Sequence, residues 1–244
     1  MKSGIGRCAA VLALVALGAC GGSAQGGHAT EDADTGGSRA AAGRTEAQTP
    51  APAEGTQLDI AHLGINSGSR DAPVRIVEMS DYGCGYCRKF HLETWPVLDK
   101  EFVETGKIEW KFLPFVTGMF RNSDQATAAA ECALEQGRDL FDAMDRRLWE
   151  EQREWKGSGN AAEVLQGWAA ELGLDTDRYG SCVSEDRRGS RIAAANALTR
   201  QLGVHGTPTF FIAGYPPLQG ALPTDAFRKV LTLVYQNATT SSDK

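Results

Sequence analysis

Apolar and polar positions begin to alternate in a structured way near residue 58. Val74-Arg75-Ile76-Val77-Glu78-Met79 is β-rich and mostly apolar, as a buried strand would be. Tyr82-Gly83 is a short connection. From Cys84 the spacing turns helical, with Cys87, Phe90, Leu92, Trp95, Leu98 and Phe102 on one broad apolar face. Pro96 should kink or split this helix, and Gly106 should end it. Ile108-Glu109-Trp110-Lys111-Phe112-Leu113 alternates with period two and predicts a second strand. Strand, helix and strand then form a βαβ unit with parallel strands.

Residues 122–202 read as helical. Asn122 with Gln125 resembles a capping box ahead of a helix from Ala126 to Gln136, closed by Gly137. Further helices are predicted at 138–151, 160–172, 176–184 and 186–202, with a loop at Gly157-Ser158-Gly159. Strand character returns at Pro208-Thr209-Phe210-Phe211-Ile212, and Leu218-Gln219-Gly220 reads as a short last strand after a turn. Thr224 is placed to cap a final helix through Tyr235, with Phe227, Val230, Leu231 and Val234 on one face. Residues 239–244 read as a frayed tail. The order is β-α-β, a block of five helices, then β-β-α. That is an α/β fold with a helical insertion covering one end of the sheet, and the sequence shows no internal repeat.

Composition narrows the classes. The chain has 244 residues, 42% apolar and 23% charged, enough for one large domain or two small ones. Its net charge is −6 with no Lys/Arg-rich block, the wrong sign for a phosphate-binding surface, so nucleic acid is not expected as a partner. Six cysteines are too few for a disulfide-dense mini-protein. Residues 1–19 read as an export signal: Lys2 and Arg7 precede an apolar run, Cys8 to Ala19, too short to span a bilayer. Leu17-Gly18-Ala19-Cys20 resembles a bacterial lipobox, with Gly18 where Ala or Ser is commoner. Lipidation of Cys20 would tether the chain to a membrane, whereas ordinary cleavage near Ala19 would leave Cys20 incidental. Without Lys2 and Arg7 the charge falls from −6 to −8. Residues 21–57 hold no Val, Ile, Leu, Met or aromatic residue. With Cys20 they read as a flexible linker, spanning roughly 33 Å root-mean-square.

Cys84-Gly85-Tyr86-Cys87 stands where a strand runs into a helix. A C-x-x-C pair is also half of many zinc sites, but here its position matters. A helix N-terminus presents unpaired N–H groups and the positive end of the dipole, which favour a thiolate at Cys84. Cys84 should be the more exposed sulfur. Cys87 should point inward and attack it from behind.

Val77-Glu78-Met79-Ser80-Asp81-Tyr82-Gly83-Cys84-Gly85-Tyr86-Cys87, Gly203-Val204-His205-Gly206-Thr207-Pro208-Thr209-Phe210-Phe211-Ile212 and the helical block between them together resemble the thioredoxin superfamily. Within it they resemble the DsbA-type thiol–disulfide oxidoreductases, over about residues 58–238. The resemblance implies a thioredoxin-like fold: a central mixed β-sheet flanked by helices, built from residues 58–121 and 203–238, with 122–202 as the inserted helical domain. It implies Cys84 as nucleophile and Cys87 as resolving thiol of a redox disulfide. Thr207–Pro208 would be a cis peptide beside them, and with Gly85 and Tyr86 it would form the surface that receives an extended client segment. Glu78 would be a buried acid of raised pKa that shuttles the Cys87 proton. Cys132 and Cys182 would form a second, structural disulfide contributing about 2–4 kcal/mol, the alternatives being two separate thiols or a regulatory pair. The resemblance implies no cofactor and no metal. Its implied partners are exported client proteins and a quinone-linked membrane protein that restores the disulfide. Between the cysteines the family archetype has Pro-His, and Gly-Tyr here predicts a less oxidising protein.

Direction stays open between a thiol oxidase and a reductase or isomerase. The polar 21–57 stretch looks unlike a dimerisation domain, which favours a monomeric oxidase. Two other classes compete. One is a metal carrier binding through Cys84, Cys87 and His91; the other is a lipid-tethered adaptor whose cysteine pair is only structural. His91 otherwise reads as a partly exposed helix residue and His205 as a solvated loop residue. Asp81 and Tyr82 read as rim residues, and Trp149, Trp155 and Trp168 as core.

Overall fold

In the computed structural model, which describes residues 60–242, β1 (Ile65–Ser67), β2 (Val74–Ser80), β3 (Ile108–Pro114), β4 (Thr209–Ile212) and β5 (Leu218–Gln219) form one mixed sheet. The order is β1-β3-β2-β4-β5, so β2, which leads to Cys84, is central. β2 and β3 are parallel in the register Ile76↔Trp110 and Glu78↔Phe112. β1 pairs antiparallel with β3, and β4 antiparallel with β2 and β5. The thioredoxin-like arrangement, a mixed sheet flanked by helices, is thus present. The predicted signal peptide, Cys20 and the linker lie outside the described residues. Among the described residues no helix is long and apolar enough to cross a membrane.

The path from Gly85 to Val103 is helical but not uniform. α1 (Gly85–Lys89) and α2 (Trp95–Leu98) are separated by a wide i→i+5 turn, Phe90–Thr94, and a second such turn, Asp99–Val103, follows α2. Pro96 explains the first interruption. It has no N–H to donate and its ring crowds the carbonyl one turn back, and it sits in the first turn of α2, where the missing donor costs least. This element packs Phe90 and Leu98 against Ile76, Trp110 and Phe210 on one sheet face, where α9 (Thr224–Ser242) adds Phe227 and Leu231. On the opposite face Met79 and Leu113 pack with Ala195 and Val204.

The insertion holds six helices among the described residues rather than five. They are α3 (Ser123–Gln136), α4 (Arg138–Glu150), α5 (Gln152–Gly157), α6 (Ala161–Glu171), α7 (Thr176–Ser184) and α8 (Gly189–Gln201). α5 was not expected, and neither was β1. Asn122 stands at the N-cap of α3 but makes no side-chain cap: it is left-handed (φ 60°), and its side-chain amide donates instead to the carbonyls of Trp155 and Ser158 at 2.9 and 3.0 Å. Nor does Thr224 cap α9; its hydroxyl meets Thr94 and the Glu93 carbonyl, while Pro223 supplies the first acceptor. The expected frayed tail is helical to Ser242, with the Thr239 and Thr240 hydroxyls donating to carbonyls one turn back.

Candidate active site

β2 delivers the chain to the site, and a buried carboxylate shapes the turn that follows. Asp81 accepts hydrogen bonds from the Gly83 N–H, the Thr117 N–H and the Thr117 hydroxyl, each at 2.8 Å, and from the Ser123 hydroxyl. Gly83 permits the close approach of the 115–122 loop, since a Cβ there would lie 2.3 Å from the Phe120 Cβ. Cys84 then stands at the N-cap of α1 in extended conformation, and its sulfur accepts the Cys87 N–H at 3.5 Å. The sulfur itself therefore satisfies one of the helix's unpaired donors.

Both cysteines are free thiols, Cys84 4% exposed and Cys87 fully buried. The Thr207–Pro208 peptide is cis, and the Thr207 carbonyl accepts from the Cys84 thiol at 3.3 Å. The pair is electrostatically split. A hydrogen bond from the Cys87 thiol, aided by Thr207 and the backbone N–H groups of Cys87 and Tyr86, outweighs burial and brings Cys84 down to about 6. Burial, then the neighbouring Cys84, pushes Cys87 well above the ordinary thiol range.

The insertion grips this turn from outside. Gln152 Nε2 donates to the carbonyls of Tyr82 and Cys84, Lys156 Nζ to that of Gly83, and the Arg88 guanidinium reaches the Glu150 carbonyl at 3.0 Å. α5, the unexpected helix, thus holds the active-site backbone.

A second polar cluster gathers around Glu78 of β2. Glu78 is fully buried and accepts from the Ser80 hydroxyl, from Trp110 Nε1 at 2.9 Å and from His91 Nε2 at 2.8 Å. His91 is buried and stacked on Trp149, with centroids 4.2 Å apart. Burial lowers its pKa, but the charge and hydrogen bond of Glu78 and the charge of Asp145 carry it above the ordinary value. Tyr82 is buried too, and its hydroxyl donates to Asp145 at 2.7 Å. Burial raises Tyr82 well above its usual range and Asp145 above its ordinary value. A cavity of about 710 Å³ lies against this cluster.

The family model described as Thioredoxin matches residues 62–232. The chain belongs to the thioredoxin family. Among curated relatives, this thioredoxin-family chain is 34% identical over 149 residues to "Na(+)/H(+) antiporter NhaA 3" of Salinispora tropica, a match covering 60% of the chain and 21% of that protein. It is 26% identical over 157 residues to "Disulfide bond formation protein D" of Bacillus subtilis, covering 59% and 65%. The chain thus spans less than two thirds of either relative's length. Of solved structures, Wolbachia pipientis alpha-DsbA1 superposes with TM-score 0.65 at 20% identity, covering 74% of this chain and 97% of that one. That likeness establishes the fold.

The structure brings Cys84, Cys87, Thr207 and Pro208 together, while Glu78 is buried on β2 with Ser80, Trp110 and His91 as its partners. Gly85 and Tyr86 face outward, Tyr86 70% exposed. Cys132 and Cys182 lie elsewhere, disulfide-bonded between α3 and α7 with Cα atoms 5.9 Å apart. Three readings are corrected. Asp81 and Tyr82 are buried supports rather than rim residues, because each carries a full set of polar partners inward. His91 is buried rather than partly exposed, because Glu78 pairs with it. Gln152, Lys156 and Ser80 drew no attention in the sequence, where nothing in periodicity or motif distinguishes them.

Proposed function

We propose that this chain is a thiol–disulfide oxidoreductase of the cell envelope, a DsbA-like thiol oxidase that introduces disulfides into exported proteins. The observation that carries the reading is the split pair beside a cis-proline: an acidified Cys84 at a helix start, and a buried, unionised Cys87 directly behind it. A client thiolate attacks the Cys84 sulfur of the Cys84–Cys87 disulfide. The S–S bond breaks and Cys87 leaves as a thiolate that takes up a proton. A second client thiolate then attacks the client sulfur of the mixed disulfide and expels Cys84. Two electrons pass to the enzyme and a disulfide forms in the client. A leaving thiol of pKa about 6 favours that last step, which supports the oxidase direction.

Thr207 and Pro208, with Gly85 and Tyr86, form the edge that receives an extended client. Glu78 handles the Cys87 proton, and the Cys132–Cys182 bond is structural. A membrane redox protein, quinone-linked, reoxidises the pair. The chain acts as a monomer, tethered through a lipid on Cys20; the support for that anchor is the Leu17-Gly18-Ala19-Cys20 sequence. A metal-carrier role is disfavoured because His91, the third ligand it would use, is engaged by Glu78.

The test is Cys87→Ala. It should accumulate clients bound to Cys84 as mixed disulfides that vanish on adding Cys84→Ser; absence of such adducts overturns the proposal. A reduction potential above about −200 mV fits an oxidase, and one below about −270 mV fits a reductase.

A further inference from the structure

We propose that Gln152 and Lys156 of α5 are positioning residues for the nucleophile: by holding three successive carbonyls they fix both backbone angles of Cys84, and with them the aim of its sulfur. The inference rests on the thiol–disulfide reading and deepens it, because it makes the inserted helices part of what sets the reactivity of that site.

A peptide unit is a rigid plane, so the backbone freedom at Cys84 is rotation between the plane before it and the plane after it. The carbonyl of the Tyr82–Gly83 unit accepts from Gln152 Nε2 at 2.5 Å, and its N–H donates to the Asp81 carboxylate at 2.8 Å. The carbonyl of the Gly83–Cys84 unit accepts from Lys156 Nζ at 2.5 Å, and its N–H donates to the Asp81 carbonyl at 2.9 Å. The carbonyl of the Cys84–Gly85 unit accepts from Gln152 Nε2 and from the Arg88 N–H, each at 3.0 Å. With these planes held, Cys84 rests at φ −78° and ψ 125°, where its sulfur accepts the Cys87 N–H and meets the Thr207 carbonyl.

α5 can serve as a brace because its own seat is fixed. Gln152 and Lys156 are one turn apart and share a face. Trp155 is fully buried, and its Nε1 donates to the Leu148 carbonyl at 2.9 Å. The Asn122 amide donates to the Trp155 and Ser158 carbonyls and so closes the end of the helix. The Lys156 ammonium also lies 4.7 Å from the centre of the Phe120 ring, the side chain that packs closest on Gly83. Gln152 is buried; its amide has two hydrogens to give and makes two bonds, both to this turn. The titratable groups bonded to the turn are Asp81 ahead of it, Cys87 on α1 and Lys156 on α5, and the segment at Pro208 offers the Thr207 carbonyl.

The experiment titrates the reduced full-length protein by its ultraviolet thiolate signal and by the pH profile of Cys84 alkylation with iodoacetamide. The wild-type midpoint should stand at about 6. Gln152→Met keeps the length of the side chain and removes both donors, and should move the midpoint to about 7. Lys156→Met should move it the same way by about half as much, and Lys156→Arg, which keeps a donor, should restore the wild-type position. At pH 7 the dithiol passes two electrons to oxidised glutathione, forming the Cys84–Cys87 disulfide and two glutathione thiols. That equilibrium should lie about fivefold further toward the enzyme disulfide in Gln152→Met, whose reduced form has lost part of its thiolate stabilisation. The Cys132→Ala, Cys182→Ala protein loses stability elsewhere and should titrate like wild type, which separates positioning from general loosening. An unmoved midpoint in folded Gln152→Met, or in the half-buried Lys156→Met should the first variant not fold, overturns the inference. So does a midpoint raised as far in the Cys132→Ala, Cys182→Ala protein, or a Lys156→Arg that titrates like Lys156→Met. A wild-type Cys84 that titrates as an ordinary thiol would instead remove the thiol–disulfide reading, and this inference with it.

Discussion

Cys84 and Cys87 sit where β2 runs into α1, as free thiols; Cys132 and Cys182 sit 50 positions apart on α3 and α7, bonded to each other. The side chains are identical and all four are buried. Around the first pair the structure places backbone N–H donors and the Thr207 peptide. All four cysteines lie in one apolar cluster, where Cys132 and Cys182, bonded to each other, sit with Ala129, Ala133, Leu165 and Tyr179. In that shared apolar setting, polar neighbours at the start of a helix make Cys84 and Cys87 unequal, while Cys132 and Cys182 are bonded to each other. The contrast locates reactivity in the surroundings of a sulfur rather than in its burial.

The largest break in this contrast should come from Cys84→Ser, which is expected to abolish exchange with a disulfide probe, by more than about a thousandfold, while circular dichroism stays unchanged. Cys132→Ala with Cys182→Ala should do the reverse. Urea unfolding should show a loss of about 2–4 kcal/mol, with exchange at Cys84 kept within about threefold.

Titration sharpens the comparison further. The ultraviolet thiolate signal of the reduced protein should rise around pH 6 from Cys84 alone, with Cys87 silent through neutral pH. Because the folded Cys84 pKa lies below that of an unfolded thiol, its ionisation stabilises the reduced fold. That stabilisation is complete above the unfolded thiol's pKa and is lost as pH falls toward and through about 6. Unfolding of reduced wild type and of Cys84→Ser should therefore converge at acid pH. The smallest effect is expected for Tyr86→Ala. Its ring is mostly exposed and its contribution to Cys84 is a backbone N–H, so stability should move by less than about 0.5 kcal/mol and the Cys84 titration should stay in place.

What the sequence revealed follows the same division between pattern and partner. β2 and β3 were legible because their apolar runs are long enough to show a period, and the C-x-x-C pair because its spacing meets the strand–helix junction. β1 has three residues between Gly64 and Gly68, too few to alternate. α5 has six, Gln152 to Gly157, too few to trace an apolar face. His91 was misjudged because polarity is visible along a chain while a buried partner 13 positions away is not. The tail was misjudged because a run of threonines looks unstructured until their hydroxyls are seen bonding the helix's own carbonyls.

Gln152 and Lys156 take hold of main-chain oxygens, those of Tyr82, Gly83 and Cys84, and of no side chain there. A Cβ at position 85 would meet nothing within 4 Å, and position 86 looks outward. The scaffold is thus indifferent to which two letters are written between the sulfurs. That dipeptide behaves as an adjustable dial, open to variation in thiol chemistry without any redesign of the frame that carries it.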